Sequence, residues 1–377
     1  MPTIKKLNLV AFAIPYPPNY GGAIDVFYKI KNLHALGVSI VLHVFRYDTR
    51  EIGELEKYCD KIYFYERKRS FFDQLSFLPF IVKSRDSLEL LGNLKSNNYP
   101  ILFEGLHTTF VMNHPDLQNR SKFLRMHNIE SDYYSHLCAA EKSWLKKLFF
   151  WFESKKLKKY ENRALSGNIK IIAISKKDEI FLNKQFGNTT MVGAFHAFNT
   201  LQIKEGKGNF AFYHGKLDVA ENNEAALFLV QKVFSKINYP LIIAGSNPSF
   251  ELMEEAKKYA HIEIKSSIST DQINALLQDA QVNVLPTFQA TGVKLKLLSA
   301  LYSGRFCLVN DFMIKGTGLD QYCTVVNDPE EWMSALKKIE NNVFSSELVE
   351  ERREIVSGDF SNEPNAKKLY KILFASS

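Results

Sequence analysis

Cysteine is scarce. The 377-residue chain has four, Cys59, Cys138, Cys307 and Cys323, scattered without a CxxC pair or any metal-ligand spacing. That excludes a disulfide framework and a zinc ribbon, and it fits a reducing cytoplasm. Cys307 lies in the apolar run Phe306-Cys307-Leu308-Val309, where a thiol acts as a small hydrophobe. No apolar run reaches the length of a membrane span. The opening Met1-Pro2-Thr3-Ile4-Lys5-Lys6 leads straight into a strand, so the expectation is a chain with no secretory leader. A GxGxxG fingerprint is also missing, which argues against a dehydrogenase. The lysines form no patch interleaved with a recognised nucleic-acid module, so no nucleic-acid partner is expected.

What is present is globular and aromatic. Hydrophobic residues make up 46% and charged residues 24%, with 29 Phe and 17 Tyr and no low-complexity tract. Lys and Arg total 48 against 41 Asp and Glu, a formal charge of +7. An excess of that sign suits an anionic partner, whether a nucleotide, an acidic lipid surface or nucleic acid, without choosing among them. The length exceeds one ordinary core and predicts two α/β domains.

In the first half, Leu7 to Ile14 is a near-continuous apolar run, the mark of a parallel strand buried on both faces. It ends in a loop from Pro15 to the pair Gly21-Gly22. Asp25, Phe27, Ile30, Leu33 and Leu36 then recur at helix spacing, and Gly37 stops the helix before a strand at Val38 to Phe45. The glycine pair either lets a ligand approach the backbone or serves as a plain turn. Further strands are predicted at Lys61 to Tyr65, Pro100 to Phe103, Lys122 to Met126 and Ile169 to Ile174. His107 and His127 each follow a strand, at the carboxyl ends where open α/β sheets bind ligands. A helical pattern runs from Ala139 to Leu165, rich in Trp, Phe and Lys. It fits either a helix lying on an anionic membrane or an amphipathic helix covering the sheet with its lysines in water. The Phe71 to Val82 stretch is likewise greasy between basic ends.

Thr200 to Asn209 is polar and Gly-bearing, and reads as an interdomain linker. The second half repeats the strand–helix alternation, with strands at Phe210 to Tyr213, Pro240 to Ala244, Ile262 to Lys265, Val282 to Pro286, Phe306 to Val309 and Thr324 to Val326. Glu347 to Phe374 has helical periodicity without strands and is expected to pack back across both domains. The stretch Pro286 to Leu301 stands out. A buried strand gives way to a Thr291-Gly292 turn, and Leu295, Leu298 and Leu301 then mark a helix. A helix start with a glycine and with Lys294 and Lys296 beside it is a ready anion site. Residues two apart on a helix diverge by about 200°, so only one of the two lysines should reach a ligand, and Lys294 is nearer the helix start.

Taken in order, Gly21-Gly22, Arg125-Met126-His127-Asn128-Ile129-Glu130, Tyr213-His214-Gly215-Lys216-Leu217 and Thr291-Gly292-Val293-Lys294-Leu295-Lys296 resemble the GT-B glycosyltransferases, particularly family 4. The likeness covers nearly the whole chain. It implies an α/β fold of two doubly wound Rossmann-like domains facing across a cleft. Residues 1–200 would form the acceptor-side domain and 208–345 the nucleotide-sugar-binding domain, with C-terminal helices over 346–377. The implied activity is retaining transfer of a sugar from a nucleotide-sugar such as a UDP- or GDP-sugar to a glycan or lipid-linked acceptor. It implies neither metal nor other cofactor, and a cytoplasmic protein, peripheral on the inner membrane face if the acceptor is lipid-linked. On that model Gly21, Gly22, Gly215, Lys216, Thr291, Gly292, Val293, Lys294 and Ser299 hold the donor, and His127 lies near the donor sugar as the catalytic candidate. Basic groups and helix starts would meet the charge that develops on the leaving diphosphate.

One departure stands out. The family carries a pair of glutamates whose places are taken here by Thr291 and Ser299, which bond a sugar without charge. Two further readings therefore stay open. A non-catalytic GT-B partner or regulator of an active transferase is favoured by the missing glutamates and opposed by the retained Gly21-Gly22, His127 and Lys216. A nucleotide-sugar epimerase needs acids and bases at the sugar, and the shortage of carboxylates at the turn counts against it.

Overall fold

Continuous apolar runs become strands where the sequence predicts them. In this computed structural model the described residues are all except 1–3, 47–48, 69, 71–72, 74–75, 142, 168, 289–293 and 376–377. The chain divides into two units. The first holds residues 1–197 and 359–377, and the second 198–290 and 294–358.

In the first unit, β1 (Lys6–Ala11), β2 (Ser39–Arg46), β3 (Lys61–Glu66), β4 (Ile101–Glu104), β5 (Lys122–Met126), β6 (Lys170–Ala173) and β7 (Thr189–Met191) pair in the order β3-β2-β1-β4-β5-β6-β7. Every pairing is parallel. Alternate strand residues feed two cores. Val10, Ile101, Phe103 and Leu124 meet Leu90, Leu94, Leu157 and Ala164 on one face. On the other, Leu7, Leu9, Leu42 and Leu102 meet Val26, Ile30 and Leu33 of the helix Gly21–Ala35, together with Ala366, Leu369 and Leu373 of the last helix. Burial on both faces is why these strands read as near-continuous apolar runs.

In the second unit, β8 (Ala211–His214), β9 (Leu241–Ala244), β10 (Ile262–Lys265), β11 (Val282–Leu285), β12 (Phe306–Val309) and β13 (Thr324–Val325) pair in the order β10-β9-β8-β11-β12-β13, again all parallel. The polar segment over 200–209 is no free linker. Gly206 pairs with Phe344, and Gly208 N donates to Gln281 Oε1 at 2.7 Å. Gln281 is fully buried and its amide also donates to Ile339 O and Asn342 O, so the segment satisfies a core polar group.

The C-terminal segment divides between the units. Ser346–Glu351 and Arg353–Ser357 are short helices of the second unit, whereas Asn362–Phe374 belongs to the first. The helical pattern over Ala139 to Leu165 also divides. Glu130–Ala140 is one helix, Glu141 turns to an extended backbone, and Trp144–Leu165 starts anew after Ser143. The Glu141 carboxylate accepts from Ser143 N at 2.9 Å.

Candidate functional site

Parallel sheets bind ligands at the carboxyl ends of strands, where the strand order reverses direction. The order reverses between β1 and β4 in the first sheet, and between β8 and β11 in the second. Each reversal point carries a cluster of polar side chains.

In the first unit the cluster is buried and charged. Asp25 and Lys29 sit one turn apart on the helix Gly21–Ala35, Glu104 ends β4, and Arg125 lies within β5. Arg125 grips Asp25 through two bonds, Nε to Oδ2 at 2.9 Å and Nη2 to Oδ1 at 2.8 Å. Its Nη1 and Nη2 also donate to Val192 O and Gly193 O. The Lys29 ammonium donates to Asp25 Oδ2 at 2.8 Å and to both Glu104 oxygens at 2.7 Å. His127 Nε2 lies 3.0 Å from Glu104 Oε2. Burial alone would raise the Asp25 carboxyl, but the Arg125 guanidinium and the Lys29 ammonium outweigh it and hold the group far below the usual range. Burial also opposes the Glu104 charge, and Lys29 and His127 reverse that, so its carboxyl is lowered too. Asp25, Glu104 and His127 offer ligand atoms within 4.8 Å of one another, a cation-site spacing. The Lys29 ammonium already sits among those carboxylates.

Around this cluster lie the loops after β1, β4 and β5. Gly105 takes a left-handed φ of +69°, and a Cβ there would meet His107 Nδ1 at 3.1 Å and His127 Cδ2 at 3.7 Å. His107 Nδ1 is buried without a hydrogen-bond partner among the described residues. Burial and the nearby Arg85 hold this imidazole well below its ordinary range, so it stays neutral. Glu130 is buried, and burial plus the Glu161 carboxylate push it up to about 8.

The second unit's cluster is cationic. Lys296 Nζ donates to Asn222 Oδ1 at 2.8 Å and to Tyr213 OH at 3.2 Å, 4.6 Å above the Tyr213 ring. Asn222 Nδ2 in turn donates to Lys216 O at 2.9 Å. A Cβ on Gly215 would fall 2.8 Å from Lys296 Nζ, so only glycine leaves the ammonium its place. Burial lowers Lys296 to about 8, Glu221 opposing and Lys294 adding to the effect. Thr287 donates its hydroxyl to Glu221 and its N–H to Asn310 Oδ1 at 3.1 Å, which fixes the loop after β11.

The sequence candidates lie in several places. Gly215, the Lys216 backbone and Lys296 come together at the end of β8. The Lys216 side chain is half-exposed, with its ammonium 3.5 Å from Asp218. Lys294 is the cap residue of the helix Leu295–Ser303, and Ser299 Oγ donates to Leu295 O at 2.9 Å along that helix. Gly21 and Gly22 open the first unit's helix, and a Cβ on Gly22 would strike the Phe12 ring at 2.6 Å, so this glycine has a packing reason. Thr291, Gly292 and Val293 lie outside the described residues. Sequence reasoning passed over Asp25, Lys29 and Glu104 as members of a site. The available signal was ionisable residues inside an apolar helix stripe and at a buried strand end, where an unpaired charge is costly.

Residues 209–342 match the family model described as glycosyl transferases group 1. A relative in Klebsiella pneumoniae, described as an uncharacterized 44.6 kDa protein in the cps region, is 26% identical over 370 residues, 90% of this chain and 95% of that one. Among solved structures, sucrose-phosphate synthase from Thermosynechococcus elongatus superposes with a TM-score of 0.72 at 16% identity, covering 99% of this chain and 100% of that one. WaaG, a glycosyltransferase involved in lipopolysaccharide biosynthesis, gives 0.63 at 12% identity over 98% and 100%. A variant of S. aureus TarM in complex with Fondaparinux, alpha-GlcNAc-glycerol and UDP gives 0.63 at 12% identity over 98% and 100%. Two parallel sheets and these superpositions over nearly the whole chain give it the GT-B fold, and its residues 209–342 match the group 1 glycosyl transferase model.

Proposed function

We propose that the chain is a retaining glycosyltransferase that moves a sugar from a UDP- or GDP-type nucleotide-sugar to a glycan or lipid-linked acceptor, without a metal. The observation that carries this reading is the Lys296–Asn222–Gly215 arrangement at the strand reversal of the group 1 domain. An ammonium held beside a bare backbone is suited to a diphosphate, with Lys216 and Lys294 as further positive charge. As the sugar departs, negative charge grows on the diphosphate, and fixed cations lower that barrier without reorganisation. Thr291 and Ser299 stand where the resembled family has carboxylates, and His127 serves the transfer step. The UDP of the TarM complex and the cps location of the Klebsiella relative support a nucleotide-sugar donor and a polysaccharide product.

Peripheral attachment to an anionic membrane belongs to the same proposal. No described helix is long and apolar enough to cross a membrane, but Trp144, Trp151 and Phe152 are 71%, 46% and 51% exposed. A second reading, a non-catalytic partner of an active transferase, is favoured by Ser299, whose hydroxyl is spent on its own helix.

A thermal-shift screen of the full chain against UDP, GDP, ADP, CMP and their sugar conjugates, without added metal, tests the choice. A ligand at about a hundred times its Kd stabilises the fold by roughly 2.7 kcal/mol. One nucleotide family should shift the wild type and fail to shift Lys296→Met. No shift from any of them would favour the non-catalytic reading.

A further inference from the structure

We infer that Glu104 is a positioning residue for His127: its carboxylate holds the imidazole as the Nε2–H tautomer, so that Nδ1 meets the substrate as an acceptor for a hydroxyl group. This rests on the transfer reading above for the hydroxyl, and on geometry within the first unit for the tautomer.

A carboxylate accepts and does not donate, so the imidazole nitrogen 3.0 Å from Glu104 Oε2 must carry the proton. Asp25 Oδ2, the other carboxylate oxygen nearby, is 4.0 Å from Nε2 and outside hydrogen-bond range. Glu104 cannot turn away. It is fully buried, and both of its oxygens accept from the Lys29 ammonium at 2.7 Å. Lys29 is in turn held by Asp25, and Asp25 by both arms of Arg125 and by Phe195 N at 2.8 Å. Two carboxylates, the Lys29 ammonium and the Arg125 guanidinium thus form a neutral, interlocked frame, with the histidine as its outermost member at 11% exposed. The Phe12 ring, edge-on at 5.6 Å, flanks the imidazole. The hydrogen bond this ring makes among the described residues runs through Nε2, not Nδ1. In the neutral tautomer it offers a lone pair, which suits a sugar or acceptor hydroxyl and not a phosphate oxygen. The frame thus does for this ring what an orienting carboxylate does for a catalytic or metal-bound histidine.

The first test needs no substrate. Long-range proton–nitrogen correlation spectra of the full chain with labelled histidine, with the His127 signal assigned from its loss in His127→Gln, report the tautomer directly. The expected result is Nε2–H with Nδ1 unprotonated, and a mixture of tautomers in Glu104→Gln. A wild-type Nδ1–H tautomer overturns the inference, whatever the enzyme does. The second test uses the donor found by the nucleotide screen. Glu104→Gln should lower kcat about 10- to 100-fold with donor KM changed by less than about threefold, and Glu104→Asp should recover part of the loss. Unchanged kcat in a folded Glu104→Gln protein also overturns it. If wild type turns over no nucleotide-sugar, the transfer reading fails separately, and the spectra still decide the role of Glu104.

Discussion

Lys296 sits where two demands on a lysine conflict. Burial disfavours its charge and brings it down to about 8, yet a diphosphate attracts only the charged form. The folded-state value lies below the ordinary lysine value, so the neutral form gains ground as pH rises through about 8. Nucleotide affinity should therefore fall as pH rises across that value, with proton uptake on binding. Calorimetry in two buffers of different ionisation enthalpy would show the uptake. Lys296→Met should bind about 10- to 100-fold more weakly, the range of a lost charged hydrogen bond, and lose this pH dependence. An unchanged pH dependence in the variant would assign it to another group. The sequence made Lys294 the better phosphate ligand, because helix position was all it offered. Folding brings Lys296 beside Gly215, a glycine in the adjacent strand-end loop, and periodicity along one helix carries no record of that loop.

Among the elements, the helix Trp144–Leu165 has two halves with different surroundings. Leu157, Tyr160, Ala164 and Leu165 are buried in the sheet core. Trp144, Leu145, Leu148, Trp151 and Phe152 stay exposed, with Lys146, Lys147 and Lys155 also in water. The reading of a helix covering the sheet holds for the second half, and the first half presents apolar and basic side chains together. Such a face gains from hydrocarbon contact and from attraction to anionic headgroups, the latter weakened by salt. The full chain should float with anionic vesicles at low salt, and Trp144→Ser/Trp151→Ser should stay with the unbound fraction. Wild-type protein that never floats would remove membrane attachment from the functional reading.

For the whole molecule, the path of the chain matters. It leaves the first unit near residue 198, builds the second, and returns at residue 359 with a last helix that closes the first unit's core. Leu369 is fully buried there, and the Asn362 and Asn365 side chains tie the helix to the backbone of His196 and Gly193. Leu369→Ala should cost about 2–5 kcal/mol, the range for emptying a buried leucine site. Two-unit chains commonly unfold in more than one step. The loss should then appear in the first unit's transition, leaving nucleotide stabilisation of the second unit intact. Equal loss in both transitions would mean that the units unfold as one.

Strand positions were legible because a parallel strand buried on both faces is apolar at most of its residues, which writes a near-continuous run into the chain. Leu7 to Ile14 and Phe306 to Val309 show this directly, and the strand-end loops with Gly215 and His127 follow from strand position alone. The charged frame behind His127 was not legible. Arg125 and Asp25 stand 100 residues apart, and Lys29 and Glu104 stand 75 apart. They meet because the sheet places β4 between β1 and β5, and strand order is a property of the folded chain. A lone Asp on a helix or a lone Glu at a strand end looks the same in sequence whether water or a buried arginine will face it. Desolvation makes the two cases differ, and only the tertiary structure determines which charges lose their water together.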